Sequence, residues 1–262
     1  MTLNNGVGED WLVTINNHRA SRDQLLEIDT PIQEIKASMT HPWLCRGEDK
    51  ELYVVKFQVP NNPSHVRSYA AEQVVARLGV LLDAPVAPAY LSSCTTELLA
   101  ANPQLSAFCA GVCHATRQEK VEPAELRPIP PPINRQECDD LSKLAVLYGW
   151  CASGDQQLLR LATDSATRPS GILSVDHGHF FPGAINWTRA SLESAGVPTI
   201  DPIFVNLDQV VVDATVARLK LVTNEQIARA VAHIDPSWGV LDDDCVALAE
   251  YLSRRRDILC TN

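Results

Sequence analysis

No apolar run in this 262-residue chain approaches the roughly 20 residues that a bilayer-crossing helix needs, so no membrane partner is expected. The opening residues, Met1-Thr2-Leu3-Asn4-Asn5, lack the basic and apolar regions of a secretion signal. Basic residues are short as well: 22 Lys and Arg stand against 32 Asp and Glu, a net charge of −10. A surface of that sign repels polyanions, which argues against direct nucleic-acid binding. The eight cysteines follow no regular framework. Without an export signal they are expected to be reduced, half-buried thiols of a cytoplasmic protein. There is no internal repeat.

What is present is a mixed chain, 45% apolar and long enough to bury a substantial core. Residues 1–31 are polar and varied, an arm expected to pack loosely, with a helical turn around Ser21–Ile28. Ile32–Ala37, Trp43–Arg46 and Glu51–Val59 read as short strands, with Gly47-Glu48-Asp49-Lys50 as a turn. Pro60-Asn61-Asn62-Pro63 breaks the pattern, and Ser64 is placed to cap a helix that ends near Gly79. Pro85–Leu91 reads as an edge strand, because two prolines cannot sit in a central ladder. Ser106–His114 reads as another strand.

Five prolines between Pro123 and Pro132 mark an extended linker. Beyond it come a helix over Cys138–Cys151 and short strands at Ile172–Val175 and His179–Phe181. Helical periodicity covers Leu207–Lys220, Asn224–His233 and Asp242–Leu259, with Thr223 and Gln226 at the spacing of a capping box. This order predicts an α+β fold in two lobes. The expected divisions are an arm (1–31), an N-terminal lobe (32–115), a linker (116–135) and a helical C-terminal lobe (136–262).

Four charged residues stand out along the chain. Lys56 lies in the strand Tyr53-Val54-Val55-Lys56-Phe57, and a buried ammonium needs an anionic partner. Glu72 falls in the next helix. Asp155 comes after Gly154 at the close of a helical segment, and Asp176 opens Asp-His-Gly-His after an apolar strand. A lysine on a strand, a glutamate on the next helix and two later aspartates are the parts of a phosphoryl-transfer site. Singly, each has a plainer reading. Lys56 could blunt a sheet edge, Glu72 could be solvated, and the aspartates could serve turns. A rival reading joins Asp176, His177 and His179 in a metal-dependent hydrolase, with Cys109, Cys113 and His114 as a further cluster of zinc-ligand types. The run Arg254-Arg255-Arg256 sits in the last turns of a helix, where it complements the dipole.

The segments YVVKF, SYAAEQVVARLG and APVAPAYL resemble the small lobe of HipA-like kinases, part of the protein-kinase and phosphatidylinositol-kinase-like superfamily. SGDQQLLRL resembles that family's catalytic loop, and SVDHGHFF its metal-binding segment, where Asp-His-Gly stands for Asp-Phe-Gly. The resemblance spans roughly residues 32–259. It implies a two-lobed protein-kinase-like fold: a small antiparallel β lobe with one helix, and a larger, mainly helical lobe. It also implies ATP with Mg2+ in the cleft and transfer of the γ-phosphate to a hydroxyl-bearing acceptor, such as a protein Ser or Thr. Lys56 would then hold the α/β-phosphates, Glu72 would orient it, Asp155 would act as catalytic base, and Asp176 would bind magnesium. Ser38 and Thr40 would lie in the phosphate-covering loop, which contains no glycine.

One position departs from the pattern. Arg160 stands five residues after Asp155, where the family carries a metal-binding asparagine. A guanidinium has no lone pair to offer a metal. Three outcomes stay open: Gln156, Gln157 or Asp164 takes over the metal; Arg160 itself touches phosphate; or the chain binds nucleotide without turnover, as a pseudokinase that presents a surface to a partner.

Overall fold

The computed structural model describes residues 10–22, 24–36, 40–60, 62–125, 132, 134–162, 171–201 and 206–261. The first described element is helix α1 (Trp11–Ala20). Asp10 caps it by accepting from the Val13 N–H at 3.1 Å. Next come β1 (Leu26–Glu34), β2 (Trp43–Gly47) and β3 (Leu52–Lys56), then the long helix α2 (Pro63–Leu82). Strand β4 (Ala89–Cys94), the short helix α3 (Thr96–Ala101) and β5 (Gly111–Arg117) come after it.

These five strands close into a barrel in the order β1-β2-β3-β5-β4. Every pairing is antiparallel except the seam of β1 and β4, where Leu26 and Glu27 run parallel to Ser92 and Ser93. Alternation along the strands fills the barrel: Cys45, Tyr53, Val55, Cys113 and Ala115 point inward against Phe57 and Leu105. The β3–β5 register sets Lys56 directly opposite His114.

Strand β6 (Val121–Glu125), helix α4 (Arg135–Cys151), β7 (Gln157–Leu161) and β8 (Ile172–Val175) come next, and the three strands form an antiparallel sheet in the order β6-β7-β8. Helices α5 (Arg189–Glu193), α6 (Gln209–Lys220), α7 (Asn224–Val231) and α8 (Asp242–Leu259) complete the described chain. A second, larger core joins α2 to these helices through Tyr69, Val74, Leu78, Leu144, Trp150, Trp187 and Leu252. Helix α2 therefore packs on the barrel along one side and on α4, α6 and α7 along the other. Main-chain bonds tie the two sheets: Ala87 N–H donates to Ser174 O at 3.0 Å, and Ser174 N–H to Pro85 O at 2.8 Å.

The mixed α+β class and the three C-terminal helices match the sequence expectation, including the capping box of Thr223 and Gln226. Several elements differ. The small sheet closes on itself with a parallel seam instead of forming an open antiparallel layer. The described part of the arm does not pack loosely: Trp11–Ala20 is helical, Ile15 is fully buried, and Arg19 reaches Asp242 at 2.7 Å. Strand β1 begins at Leu26, well before Ile32, because two bulges carry it past Pro31. Asn62, not Ser64, is the N-cap of α2, with Pro63 at the first helical position, and the helix runs through Gly79 to Leu82. Part of the expected linker is sheet, since Val121 pairs with Leu161. His179–Phe181 is not the expected strand: His179 ends a single 3-10 turn, His177–His179.

Candidate active site

Lys56 is buried at the end of β3, 5% exposed, and donates to two carboxylates. Its Nζ lies 2.6 Å from Glu72 Oε1 and 2.7 Å from Asp176 Oδ1. Glu72, on the α2 face turned toward the barrel, is 3% exposed. Its second oxygen lies 3.0 Å from Nε2 of His114. Burial alone would pull Lys56 down, but the charges of Glu72 and Asp176 outweigh it and hold the ammonium above its ordinary pKa. Burial likewise opposes ionisation of Glu72, yet Lys56 and His114 hold it well below the usual carboxylate range. A charged pair this deep persists only because each member has the other.

Asp155 and Asp176 both sit on left-handed backbone, at φ 37° and 57°. Non-glycine residues held there cost free energy, and such positions cluster at functional sites. The turn bearing Asp155 is anchored from several directions. Ser153 Oγ donates to Asp201 at 2.6 Å, and the Gln156 amide reaches both Ser153 and Asp201. Arg255 donates to the carbonyls of Gly149 and Trp150 at the end of α4. Strand β7 starts two residues after Asp155, and Gln157 pairs with Val175, next to Asp176. That register lets the Gln157 amide donate to Asp176 Oδ2 at 2.9 Å and to Asp155 Oδ2 at 3.5 Å.

Lys56, Glu72, Asp155, Gln157 and Asp176 line one cavity of about 550 Å³. Thr40, Ser68 and His179 also face it, and Val54, Ala87, Leu159 and Leu173 give it an apolar slot. Gly178 lets the Asp-His-Gly turn lie against α2, since a Cβ there would sit 2.1 Å from Ser68 Oγ.

A family model described as HipA-like kinase matches residues 28–163, more than half of the chain. The chain belongs to the HipA-like kinase family. Comparison with curated proteins gave no match. Among solved structures, the Golgi casein kinase with Mn and ADP bound aligns with a TM-score of 0.51 at 11% identity, covering 96% of this chain and 76% of that one. Another structure of the Golgi casein kinase aligns with a TM-score of 0.48 at 12% identity, over 97% and 77% of the two chains. At 11% identity the first likeness is one of fold, a kinase-like one.

For this HipA-like kinase, the residues singled out in the sequence part company at two places. Arg160 does not line the cavity. It points to α4 and grips buried Glu137 with two bonds, Nε to Oε1 at 2.8 Å and Nη2 to Oε2 at 3.1 Å. A phosphate contact by Arg160 is thereby overturned. Ser38 and Asp164 lie outside the described residues.

The hydrolase reading also fails on geometry. His177 is turned into the core, where Nε2 shares a hydrogen bond with Ser174 Oγ at 2.8 Å, and Ser174 meets the Tyr148 hydroxyl at 2.5 Å. Burial pushes His177 down to about 4, against the pull of the Glu72 and Asp176 charges. Among the described residues no group of three or more His, Cys, Asp or Glu side chains could hold a metal. Cys113 and His114 diverge, the thiol into the barrel core and the imidazole toward Glu72. The arginine run does more than complement a dipole, since Arg255 is buried across the end of α4.

Sequence reasoning missed His114 as a neighbour of Glu72, and Asp201 as the anchor of the Asp155 turn. For His114 the signal was faint: a histidine between the small residues Cys113 and Ala115 on a strand. Asp201 carried none, because its partner lies 48 residues away.

Proposed function

We propose that this HipA-like kinase transfers the γ-phosphate of ATP to a hydroxyl-bearing acceptor, such as a protein Ser or Thr, in the cleft around Lys56. The barrel with α2, which runs from Leu26 to Arg117 where the sequence suggests 32–115, would act as the nucleotide-binding lobe. The helical part, 136–262, would act as the catalytic lobe, and the free cysteines suit a cytoplasmic setting. One observation carries the reading: Lys56 bridges Glu72 and Asp176 inside the cavity that Asp155 also faces.

The donor set suits magnesium, a hard cation that takes oxygen ligands. Asp176 supplies two oxygens, and Gln157 supplies an amide that reaches it; a half-turn of that amide presents its oxygen instead of its nitrogen. Asp176 and Gln157 would hold the magnesium, which would supply positive charge against the charge developing on the phosphates. With nucleotide bound, Lys56 would leave Asp176 for the phosphates while Glu72 keeps it aimed. Asp155, exposed on its turn, would accept the proton of the acceptor hydroxyl at its carboxylate. Thr40 at the cavity mouth would cover the phosphates with its hydroxyl and backbone N–H. The apolar slot of Val54, Ala87 and Leu173 offers a flat base a dry face.

A second reading, a nucleotide-binding module without turnover, is favoured by the turning of Arg160 away from the cavity. The two share the nucleotide site and part at the transfer step. Thermal melts with ATP, with and without magnesium, test the shared part. Wild type should be stabilised, since a ligand of the folded state raises apparent stability, and Lys56→Met should lose most of the shift. Equal melting of wild type with and without ATP would contradict both.

A further inference from the structure

The far side of Glu72 meets His114, and from His114 hydrogen bonds lead through Gln73 to Arg77 and Tyr90 in the barrel wall. His114 is 1% exposed and sits opposite Lys56 across β3 and β5. Its two ring nitrogens face different groups. Nδ1 lies 2.8 Å from the Gln73 amide nitrogen, and Nε2 lies 3.0 Å from Glu72 Oε2. Glu72 and Gln73 are adjacent on α2, so one imidazole spans two neighbouring side chains of that helix.

The orientation of Gln73 decides which nitrogen of His114 carries the proton. Arg77 donates to Gln73 Oε1 at 2.6 Å, and arginine only donates, so that atom must be the amide oxygen. Gln73 Nε2 lies 2.7 Å from the Tyr90 carbonyl, which only accepts, so that atom must be the amide nitrogen. With both ends fixed, Gln73 presents N–H to Nδ1, and Nδ1 must accept. The proton of the imidazole is then on Nε2, facing the Glu72 carboxylate. The Nε2 contact is close but poorly aligned, and the described residues offer that buried nitrogen no better partner.

We infer that His114 is a positioning residue for the Lys56–Glu72 pair: Arg77, Gln73 and Tyr90 fix its tautomer, and its Nε2 proton holds Glu72 from behind. The inference rests on the nucleotide-site reading, because what Glu72 positions is the Lys56 ammonium. Without His114, Oε2 of Glu72 would lose the Nε2–H that faces it, and the carboxylate could swing to take Lys56 with both oxygens. The ammonium would then be drawn back from where phosphates would lie. The effect should appear in nucleotide affinity more than in stability, as with groups that orient a ligand through another residue.

Two substitutions separate the nitrogens. In His114→Gln the amide nitrogen can stand near the place of Nε2 and still donate to Glu72. In His114→Asn the shorter amide stays near the place of Nδ1 and cannot reach. The affinity of Mg–AMP-PNP, measured by calorimetry, should fall about tenfold in His114→Asn and recover to within about threefold of wild type in His114→Gln. Wild-type affinity in His114→Asn, or an equal loss in both variants, would overturn the inference. Nitrogen-15 NMR of the nucleotide-free wild type adds a readout independent of binding. It should show the His114 proton on Nε2; a proton on Nδ1 would overturn the inference and leave the nucleotide site standing. Failure of wild type and Lys56→Met alike to bind Mg–AMP-PNP would instead remove the nucleotide-site reading, and the inference with it.

Discussion

Arg160 and Glu137 are joined by a two-pronged ion pair, at 2.8 and 3.1 Å, that turns Arg160 away from the cavity. Glu137 is fully buried on the first turn of α4. The pair thus anchors β7 to α4, at the position that the resemblance would give to a metal-binding asparagine.

Restoring the family residue should therefore harm the protein. Arg160→Asn removes the guanidinium that compensates buried Glu137, and breaking such a pair costs about 3 kcal/mol. The expected result in a denaturant melt is a loss of that order with no gain in phosphotransfer. A gain in activity at unchanged stability would show that position 160 faces the metal after all.

The acid sensitivity of the fold should trace to His177. Its folded pKa is pushed down to about 4, below its ordinary 6.5. A group depressed in this way is neutral in the fold while the unfolded chain takes up a proton. Stability is then intact above about pH 6.5 and is lost as pH falls toward 4. The shift corresponds to about 3 kcal/mol. Glu72, also held low, adds a loss only below its ordinary value of 4.5. Melts between pH 7 and 4.5 should show a decline that His177→Gln flattens; an unchanged slope in that variant would assign the sensitivity elsewhere.

Gly149 should resist a substitution that helices normally welcome. Replacing glycine by alanine inside a helix usually gains about 1 kcal/mol. Here a Cβ would stand 2.2 Å from the Thr199 carbonyl oxygen, backbone against backbone. Overpacking of that kind costs about 1–3 kcal/mol, so Gly149→Ala should lower the melting temperature. An unchanged or raised value would mean that the 199–200 segment yields easily.

Arg255→Met tests the cap across α4. The methionine keeps much of the packing against Tyr251 but leaves the carbonyls of Gly149, Trp150 and Gly196 without their donor. Buried acceptors stripped of a charged donor cost about 1–3 kcal/mol. Because α4 leads into the Asp155 turn, kcat should drop further than the stability loss alone explains. A drop in stability with kcat unchanged would separate the cap from the site.

That Lys56, Glu72, Asp155 and Asp176 would meet at one cavity was legible from their order and from the segments that carry them; only Lys56, on an apolar strand, demanded a partner by itself. The C-terminal helices were legible from periodicity, and α7 from its capping box. Strand β1 was misplaced because its bulges break the two-residue alternation that marks a strand. Helix α1 was missed because it buries only Ile15 completely and shows little apolar stripe. The relay through His114, Gln73 and Arg77, and the turning of Arg160 to Glu137, depend on strand register and long-range pairing. No local pattern encodes either.

The most direct test of the account is phosphotransfer from radiolabelled ATP, measured on wild type, Asp155→Asn and Asp176→Asn, with folding of each checked by circular dichroism. Wild type should transfer label with magnesium present, and both variants should fold but lose turnover by at least about a hundredfold. Turnover equal to wild type in both folded variants would contradict the account.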